Sequence, residues 1–412
     1  MKMPGLLLLL LLACNAVSQN ISSKEYKEDF AYFWTTVQAD YAYWNKVETD
    51  WDKVKLFYSS YFDTVSSKRS FVLLLEKVFY EIYDHHASLN TNTPVSQRLV
   101  PSGADIWAEY INGKPVIVEL RKGFGAEKAG LKPGMEIITL NNVPVEEAIK
   151  TFLPKNLKKD DLDARNYALR VLLAGNHVQE RKIRTRYQEK EPDFYPDANN
   201  KLLEQYPYKT KIESTILEDN IGYIRINNCL GDNSLIPLFD SSLTAITAAR
   251  ALILDLRETP SGGNTTVARS IIGRFITSED FFQKHELTGE EKLFGVKRSW
   301  TEIVSPKKPI YTKPLVVLCD HWTGSVGEGI VIGFDALKRA TVIGTKMARL
   351  KGAIYSYTLP NTKIGFSIPV ERLYHVNGTP RENFKPHILV DVSKKTGADV
   401  ILAEALKYLQ KK

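Results

Sequence analysis

Cysteine and histidine are scarce in this chain of 412 residues, which contains 3 cysteines and 7 histidines. No group of them has the spacing of metal ligands, so we expect no metal site, and we expect no cofactor either. Cys229 and Cys319 lie in separate apolar runs, where cysteines more often serve as packing residues than as halves of a disulfide. A disulfide between them stays an alternative.

A large excess of charge of one sign is also absent. The formal net charge is +7, and the basic residues are dispersed, as in residues 150–159 and 181–186. Dispersed basic residues usually form a solvated surface, and no basic motif is interleaved with aromatic residues. We therefore expect no nucleic-acid partner, and at most weak attraction to anionic lipid or acidic peptide.

Long apolar runs are missing, apart from a short one at the N-terminus. Lys2 precedes the leucines of residues 6–12, which are too few to span a bilayer and are followed by small residues. We interpret residues 1–19 as a secretory signal and expect an exported protein. The segment before Cys14 resembles a bacterial lipobox, which implies a lipid on Cys14, a membrane tether and a place in the periplasm or cell envelope. Ordinary cleavage after residues 16–18 is the alternative.

The rest of the chain is long enough for two or three domains. Apolar spacing predicts a helical domain over residues 20–97. Residues 98–192 read as a β-rich domain with an inserted helix at 162–174, and a polar stretch at 191–208 reads as a linker. Strands such as 221–226 then alternate with helical runs such as 235–250 and 264–276, which predicts an α/β domain over residues 205–412.

The most informative motif is TGSVGE, residues 323–328, which follows the apolar run 314–319 and precedes another, 329–337. A serine between glycines at a junction of strand and helix is held at an exposed corner, where the next backbone N–H can bind an oxyanion. Such a corner is how a nucleophile is usually presented. The pattern predicts Ser325 as a nucleophile, with tight turn geometry as the alternative explanation.

A second glycine turn follows another apolar strand. Residues 251–257, ALILDLR, read as a fully buried strand, and residues 258–264, ETPSGGN, as the turn after it. Gly262 and Gly263 lack a Cβ, so their backbone donors can approach a substrate carbonyl closely.

Residues 125–142, GAEKAGLKPGMEIITLNN, have the pattern of a PDZ domain, with an Ala-Gly pair and a Pro-Gly turn before a strand. These segments, in this order, resemble the C-terminal processing peptidases, or tail-specific proteases, in which a PDZ module precedes a "DLR…GG" strand and a "GS-x-x-E" serine turn. The resemblance implies an α/β fold with a crotonase-like catalytic domain, preceded by a PDZ-like β-rich domain and a small N-terminal helical domain. It continues to residues 381–390, RENFKPHILV, although Asn383 and His387 replace the usual Gly and Asp.

Two general bases are compatible with the resemblance. Many relatives use a lysine about 25 residues after the serine, but the alignment puts Leu350 at that site and Lys351 one step later. On a strand, one step turns a side chain to the opposite face, so Lys351 would serve only if a bulge turned it back.

A histidine base fits the sequence better than a lysine base. Residues 83–89, YDHHASL, resemble the "D-x-H" segment of the tricorn-like branch. The resemblance implies His86 as the base, Ser325 as the nucleophile and Glu382 as a distal carboxylate, and an imidazole suits proton transfer near neutral pH. His85 could face inward instead of His86, and both histidines could simply end a helix.

The resemblance further implies an oxyanion hole made by the N–H of Val326 and one from Gly262 or Gly263. One extra residue in the 259–263 turn leaves the identity of the second donor open. We expect Glu328 to cap or pair near the serine helix, because a carboxylate is favoured in a first helical turn.

The leading hypothesis is an exported serine endopeptidase that acts on polypeptides, with a PDZ module that binds the substrate. Strand addition with capture of a C-terminal carboxylate is the recognition mode that a PDZ groove supports. One alternative is a catalytically degenerate lipoprotein of this fold that binds peptides or apolar ligands. Another is a hydrolase for non-peptide esters or amides. The sequence predicts no oligomeric state.

Overall fold

The computed structural model describes residues 21–198, 206–393 and 399–412. The predicted signal segment and Cys14 lie outside these residues. The α-helices are α1 (Ser23–Asp40), α2 (Trp51–Ser59), α3 (Lys68–Tyr80), α4 (Gly125–Lys128), α5 (Val145–Ala148), α6 (Leu162–Ala174), α7 (Leu235–Ala245), α8 (Thr265–Gly273), α9 (Thr288–Phe294), α10 (Val326–Ala336) and α11 (Val400–Gln410).

The strands form three sheets. They are β1 (Ser88–Leu89), β2 (Ile106–Ile111), β3 (Lys114–Leu120), β4 (Glu136–Leu140), β5 (Val143–Pro144), β6 (Ile183–Arg186), β7 (Asp193–Phe194), β8 (Ile212–Leu217), β9 (Ile221–Ile226), β10 (Ala251–Asp255), β11 (Asp280–Leu287), β12 (Arg298–Val304), β13 (Leu315–Cys319), β14 (Thr341–Gly344), β15 (Ala353–Thr358), β16 (Gly365–Tyr374) and β17 (Ile388–Leu389).

The N-terminal part is helical, as its apolar spacing predicts. Helix α1 begins at a capping box, in which Ser22 Oγ accepts a hydrogen bond from Glu25 N and Glu25 Oε2 accepts one from Ser22 N. The inward faces of α1 and α3 carry buried aromatic and aliphatic residues. They share one apolar cluster with the middle sheet and with β16, so the predicted helical and β-rich segments have a common core.

The middle sheet has the strand order β2-β3-β4-β6-β7, with β5 on β4, and its pairings are antiparallel. The predicted helix at 162–174 is confirmed as α6. This helix is tied to β2 by Asn166, whose Oδ1 accepts a hydrogen bond of 2.7 Å from Tyr110 N. Gly175, with φ +68°, ends the helix, because that backbone angle favours glycine.

The C-terminal part contains a six-stranded sheet of order β17-β14-β13-β10-β9-β8, parallel except for β8. Every residue of β10 and β13 is buried, which explains why both read as unbroken apolar runs. Because the two strands are parallel neighbours, the glycine turn after β10 and the serine turn after β13 leave the same edge of the sheet. This arrangement brings the two turns together.

A five-stranded antiparallel sheet, of order β1-β16-β11-β12 with β15 on β16, lies beside the parallel one. Strand β1 comes from the N-terminal segment and pairs with β16, with Ser88 opposite Ser367. This pairing carries the segment with His85 and His86 to the C-terminal part of the chain.

Three further findings concern chemistry. Cys229 and Cys319 are unpaired thiols. Among residues 21–198, 206–393 and 399–412, no group of three or more His, Cys, Asp or Glu side chains is arranged to hold a metal ion. In the same residues, every helix is too short or too polar to cross a membrane.

Candidate active site

Ser325 lies at a sharp corner between β13 and α10. Its backbone angles are φ 52° and ψ −112°, outside the regions that L-residues normally occupy. The corner is held by its neighbours, since Ser325 N donates to Glu328 Oε2 at 2.9 Å and Thr323 Oγ1 donates to Leu256 O at 3.1 Å. Strain held in this way is typical of functional sites and matches the geometry of a nucleophile at a strand-to-helix turn.

The glycine turn lies directly against this serine. A parallel bridge joins Thr259 and Thr323, and Gly324 N donates to Thr259 O at 3.2 Å. Gly262 has φ +66°, and a Cβ added there would overlap Ser325 Cβ and lie 2.9 Å from Ser325 Oγ. Only glycine fits at this contact. The two turns therefore meet in the fold.

Two backbone N–H groups at this junction have no hydrogen-bond acceptor among the residues that the structure describes, those of Val326 and Gly263. The N–H of Gly262, in contrast, donates to Thr259 O at 3.2 Å. Val326 and Gly263 line a cavity of about 210 Å³ together with Ser325. Free amides beside a nucleophile are the donors that an oxyanion requires.

Arg381 links the serine corner to the following loop. Its guanidinium donates to the carbonyls of Ser325 (3.1 Å), Leu350 (3.0 Å) and Gly352 (2.9 Å), and it is fully buried. Sequence reasoning assigned it no role. The only feature of the sequence that could have pointed to Arg381 was its place in residues 381–390, directly before Glu382.

Glu328 lies beneath the corner, without exposure to solvent. Burial raises the pKa of its carboxyl to about 7, although Arg381 and the amide of Ser325 favour the charged form. Its Oε1 has no partner among the described residues. Glu328 thus fixes the serine backbone, as a carboxylate in a first helical turn should.

His86 reaches the loop that Arg381 holds. Its Nδ1 lies 2.7 Å from Lys351 O, and its backbone N–H donates to Asp84 Oδ1 at 2.9 Å. A carbonyl oxygen can only accept, so Nδ1 carries the proton and the neutral ring presents Nε2 as its basic atom. Burial, followed by the charge of Arg381, lowers the pKa of His86 to about 4, so the ring is neutral at pH 7.

The alternative bases point elsewhere. His85 Nε2 accepts a hydrogen bond of 3.2 Å from Arg170 Nε, and its ring stacks on Tyr167 of α6. Burial lowers the pKa of His85 well below its ordinary value. Lys351 Nζ lies 3.5 Å from Tyr41 Oη and 3.9 Å from Asp84 Oδ2.

Leu350, which aligns with the lysine of many relatives, faces the serine turn. Its Cδ1 lies 3.2 Å from the position of a Cβ built on Gly324, and the side chain is buried. An apolar side chain therefore packs against the serine turn at this position.

Glu382 is buried, and its Oε1 pairs with Lys46 of the N-terminal segment while its Oε2 has no partner among the described residues. The hydrogen bond that Nδ1 of His86 makes goes to a carbonyl rather than to this carboxylate.

The middle sheet touches both turns of the site. Glu119 of β3 pairs with His321 and accepts a hydrogen bond of 2.7 Å from Thr345 Oγ1. Arg121, after β3, pairs with Glu258 of the glycine turn, with Nε donating to Oε2 at 3.1 Å. Both contacts are buried, so the position of the middle sheet is coupled to the site.

Comparison with known proteins agrees with this geometry. Residues 220–390 match the model of peptidase family S41. Mature CPAF in complex with lactacystin superposes with a TM-score of 0.61 at 16% identity, over 94% of this chain and 97% of that one. A putative peptidase from Parabacteroides merdae superposes with a TM-score of 0.56 at 15% identity, over 93% of this chain and 96% of that one.

The photosystem II D1 C-terminal processing protease gives a TM-score of 0.53 at 14% identity, over 92% of this chain and 99% of that one. At these identities the three structures show the fold, and the family match shows the class, a serine-type peptidase. Residues 220–390 thus match peptidase family S41, and this match supports the peptidase family that the motifs predicted.

Proposed function

We propose that this protein is an exported serine endopeptidase in which Ser325 attacks an amide bond of a polypeptide. The observation that carries the proposal is the strained corner of Ser325, pressed against Gly262 and next to the free amides of Val326 and Gly263. A serine needs both a base for its proton and donors for the oxyanion that forms.

His86 is the proposed base. Three features support it: its proton is held on Nδ1 by Lys351 O, its pKa of about 4 keeps Nε2 free at neutral pH, and it binds the 350–352 loop that Arg381 ties to Ser325. Arg381 lowers the affinity of the ring for a proton, so it also favours return of that proton to the leaving amine.

A lysine base finds less support. Lys351 turns towards Tyr41 and Asp84, while Leu350, in the same loop, faces the serine turn. His85 is engaged with Arg170. The role of Glu382 as the distal carboxylate stays a prediction, because its partner here is Lys46.

For the oxyanion hole we propose Val326 with Gly263. The N–H of Gly262 is engaged in its own turn, so the contribution of Gly262 is the absence of a side chain against Ser325. Two donors of this kind supply several kcal/mol of transition-state stabilisation, about 3 kcal/mol each.

We further propose the predicted division into a signal at 1–19, a helical domain at 20–97, a PDZ-like domain at 98–192 and a catalytic domain at 205–412. The PDZ-like domain would hold a substrate peptide. A cavity of about 1010 Å³ supports this role, because its lining includes residues of α3, of the segment before β2, and Ser261 of the glycine turn. Export and a lipid on Cys14 rest on the sequence alone.

The experiment is to compare wild type with Ser325→Ala on unfolded casein and on a peptide with a free C-terminal tail. We expect the variant to lose cleavage, while Ser356→Ala, which changes a serine of β15, keeps it. A serine-reactive phosphonate should label wild type once, at Ser325. Casein cleavage by Ser325→Ala at the wild-type rate would refute the proposal.

A further inference from the structure

The cavity beside Ser325 is asymmetric. On one side it is lined by Gly263 and Val326, the proposed oxyanion donors. On the other side it extends between α10 and β11 over apolar groups, among them Ala268, Phe282 and Leu373. The cavity is next to the reacting atom, and its volume of about 210 Å³ is large enough for one amino-acid side chain.

One polar group in this apolar wall has no partner. Gln283, on β11, is 3% exposed, and its Oε1 is buried without a hydrogen-bond donor among the described residues. A Cβ built on Gly329 would lie 2.9 Å from this oxygen, which places the oxygen against the first turn of α10. Gly329 and Gln283 both line the cavity. A buried acceptor without a donor is costly, so its retention needs an explanation.

Hydrogen bonds to His285, and from His285 to Glu371, set the orientation of the Gln283 amide. Its Nε2 lies 2.9 Å from His285 Nε2, and His285 Nδ1 lies 2.7 Å from Glu371 Oε2. The other oxygen of Glu371 accepts from Tyr355 Oη. Because a carboxylate only accepts, Nδ1 of His285 donates to Glu371, and in the neutral form of the ring Nε2 then accepts from the Gln283 NH₂ group. The amide oxygen is thereby turned away from His285.

Charge in the lining limits what can enter. The residues around the cavity include the guanidinium of Arg381 and no aspartate or glutamate. A cationic side chain would find no counterion there. A carboxylate would face the oxygen of Gln283, and the guanidinium of Arg381 is already engaged by three backbone carbonyls. An aliphatic side chain would fit but would leave that oxygen unpaired. A neutral side chain that ends in a hydrogen-bond donor satisfies all three conditions.

We propose that this cavity is the specificity pocket for the substrate residue next to the scissile bond, and that the Gln283 amide oxygen selects a neutral donor-bearing side chain, with glutamine as the best fit. The proposal rests on the proposed function of Ser325. His285 and Glu371 act as positioning residues, because they hold the amide and touch no substrate.

The test has two stages. A library of peptides of mixed sequence is digested with the purified protein, and the cleavage sites are read by mass spectrometry. Matched peptides with Gln, Met, Glu or Lys at the preferred position then give kcat/KM for wild type and Gln283→Met. We expect wild type to prefer Gln over Met and Glu by about tenfold or more, since a pocket that hydrogen-bonds its ligand rejects analogues that lack the donor.

In Gln283→Met the preference for Gln over Met should disappear, mainly through loss on the Gln peptide. Gln410→Met, on α11 far from the site, serves as the matched control and should keep the wild-type preference. Preference for acidic, basic or aliphatic residues in wild type would overturn the proposal, as would an unchanged Gln preference in Gln283→Met. Absence of both cleavage and phosphonate labelling of Ser325 in wild type would instead refute the proposed function.

Discussion

Ser325 has a backbone conformation that serine adopts only when its surroundings enforce it. The enforcing contacts are the glycine turn on one side and Glu328 and Arg381 on the other. The same contacts leave Oγ next to the cavity. At the scale of single residues, the site therefore depends on groups that never touch a substrate.

Gly262→Ala should show this dependence. The new methyl group would overlap Ser325 at a backbone angle that disfavours alanine, so we expect a loss of about 1 kcal/mol of stability or more. We also expect kcat/KM to fall by about 100-fold, as when an oxyanion donor is displaced. Gly289→Ala is the control, because nothing lies within 4 Å of its added Cβ. Equal activity of the two variants would contradict the account.

The pH profile of kcat/KM tests the state of His86. The neutral ring is the active form, and its pKa of about 4 lies below the ordinary value of 6.5. The loss of activity that is due to His86 should therefore occur as the pH drops through about 4, and the ionisation of His86 should not change activity between pH 5 and 8. A profile that keeps its fall near pH 4 when His86 is replaced would contradict His86 as the base.

Glu328 also titrates beside the serine, with a pKa of about 7. Glu328→Gln is the control that separates the two groups, because it removes this second titration. The fall in kcat/KM near pH 4 should remain in the Glu328→Gln variant.

The contribution of His86 to folding stability, like its contribution to activity, falls as the pH drops. Between about pH 4 and 6.5 the unfolded chain binds a proton at this position that the folded chain excludes. Stability therefore rises with pH across that window and reaches its full value above 6.5.

Residue patterns predicted the serine corner and the glycine turn, because each follows a fully buried strand that reads as an unbroken apolar run. They could not reveal Arg381 or Gln283. The function of both depends on backbone carbonyls and side chains that are distant in sequence, and no local pattern marks such partners.

At the scale of elements, one buried carboxylate makes several of the contacts that join the N-terminal helices to the C-terminal part. Asp29 of α1 is fully buried, and its carboxylate accepts hydrogen bonds from Asn361 N (2.8 Å), Thr362 N (2.8 Å) and Thr362 Oγ1 (2.6 Å). These groups lie in the turn between β15 and β16. Helix α1 thus closes one end of the antiparallel sheet.

Asp29→Ala should lower the free energy of unfolding by about 3 kcal/mol, because two backbone N–H groups lose a charged acceptor. Urea denaturation measures this, and Asp63→Ala, an exposed change, should be nearly neutral. At temperatures where it stays folded, Asp29→Ala should still be labelled at Ser325. Equal stability of the two variants would contradict the fastening role.

Helices and strands with a clear hydrophobic periodicity were predicted well. Helix α6 and strand β9 have the predicted bounds, because a buried helical face and a central strand leave clear apolar patterns. The sheet of β11, β12, β15 and β16 was missed. Strands β12 and β15 are largely exposed, and β11 mixes buried Gln283, His285 and Glu286 with apolar residues, so neither a strict alternation nor an apolar run marks them.

At the scale of the whole molecule, the middle sheet and the site are joined by buried charge pairs. Arg121 binds Glu258 in the glycine turn, and Glu119 binds His321 in the loop before Ser325. Movement of the middle sheet would displace both turns. A substrate bound by this sheet could therefore influence the geometry of the nucleophile.

Arg121→Met tests this coupling. It leaves Glu258 buried without its cation, which typically costs about 3–5 kcal/mol, and it frees the glycine turn. We expect slower phosphonate labelling of Ser325 as well as a lower urea midpoint. Arg165→Met, which breaks the exposed pair with Glu146, should cost about 1 kcal/mol or less and leave the labelling rate unchanged. Loss of stability in Arg121→Met without any change in labelling would contradict the coupling.

Such contacts between distant segments could not be predicted from one sequence. Arg121 and Glu258 are separated by 137 positions, and nothing local distinguishes either from an ordinary surface residue. The order of the motifs predicted the family, whereas the packing of the segments on each other required the fold.

The second-order rate of phosphonate labelling at Ser325, compared in wild type, His86→Ala and Lys351→Met, is the most direct test of the mechanism. If His86 takes the serine proton, labelling in His86→Ala should slow by about 100-fold or more, while Lys351→Met should label almost as fast as wild type. Labelling at the wild-type rate in His86→Ala, together with its loss in Lys351→Met, would contradict the account.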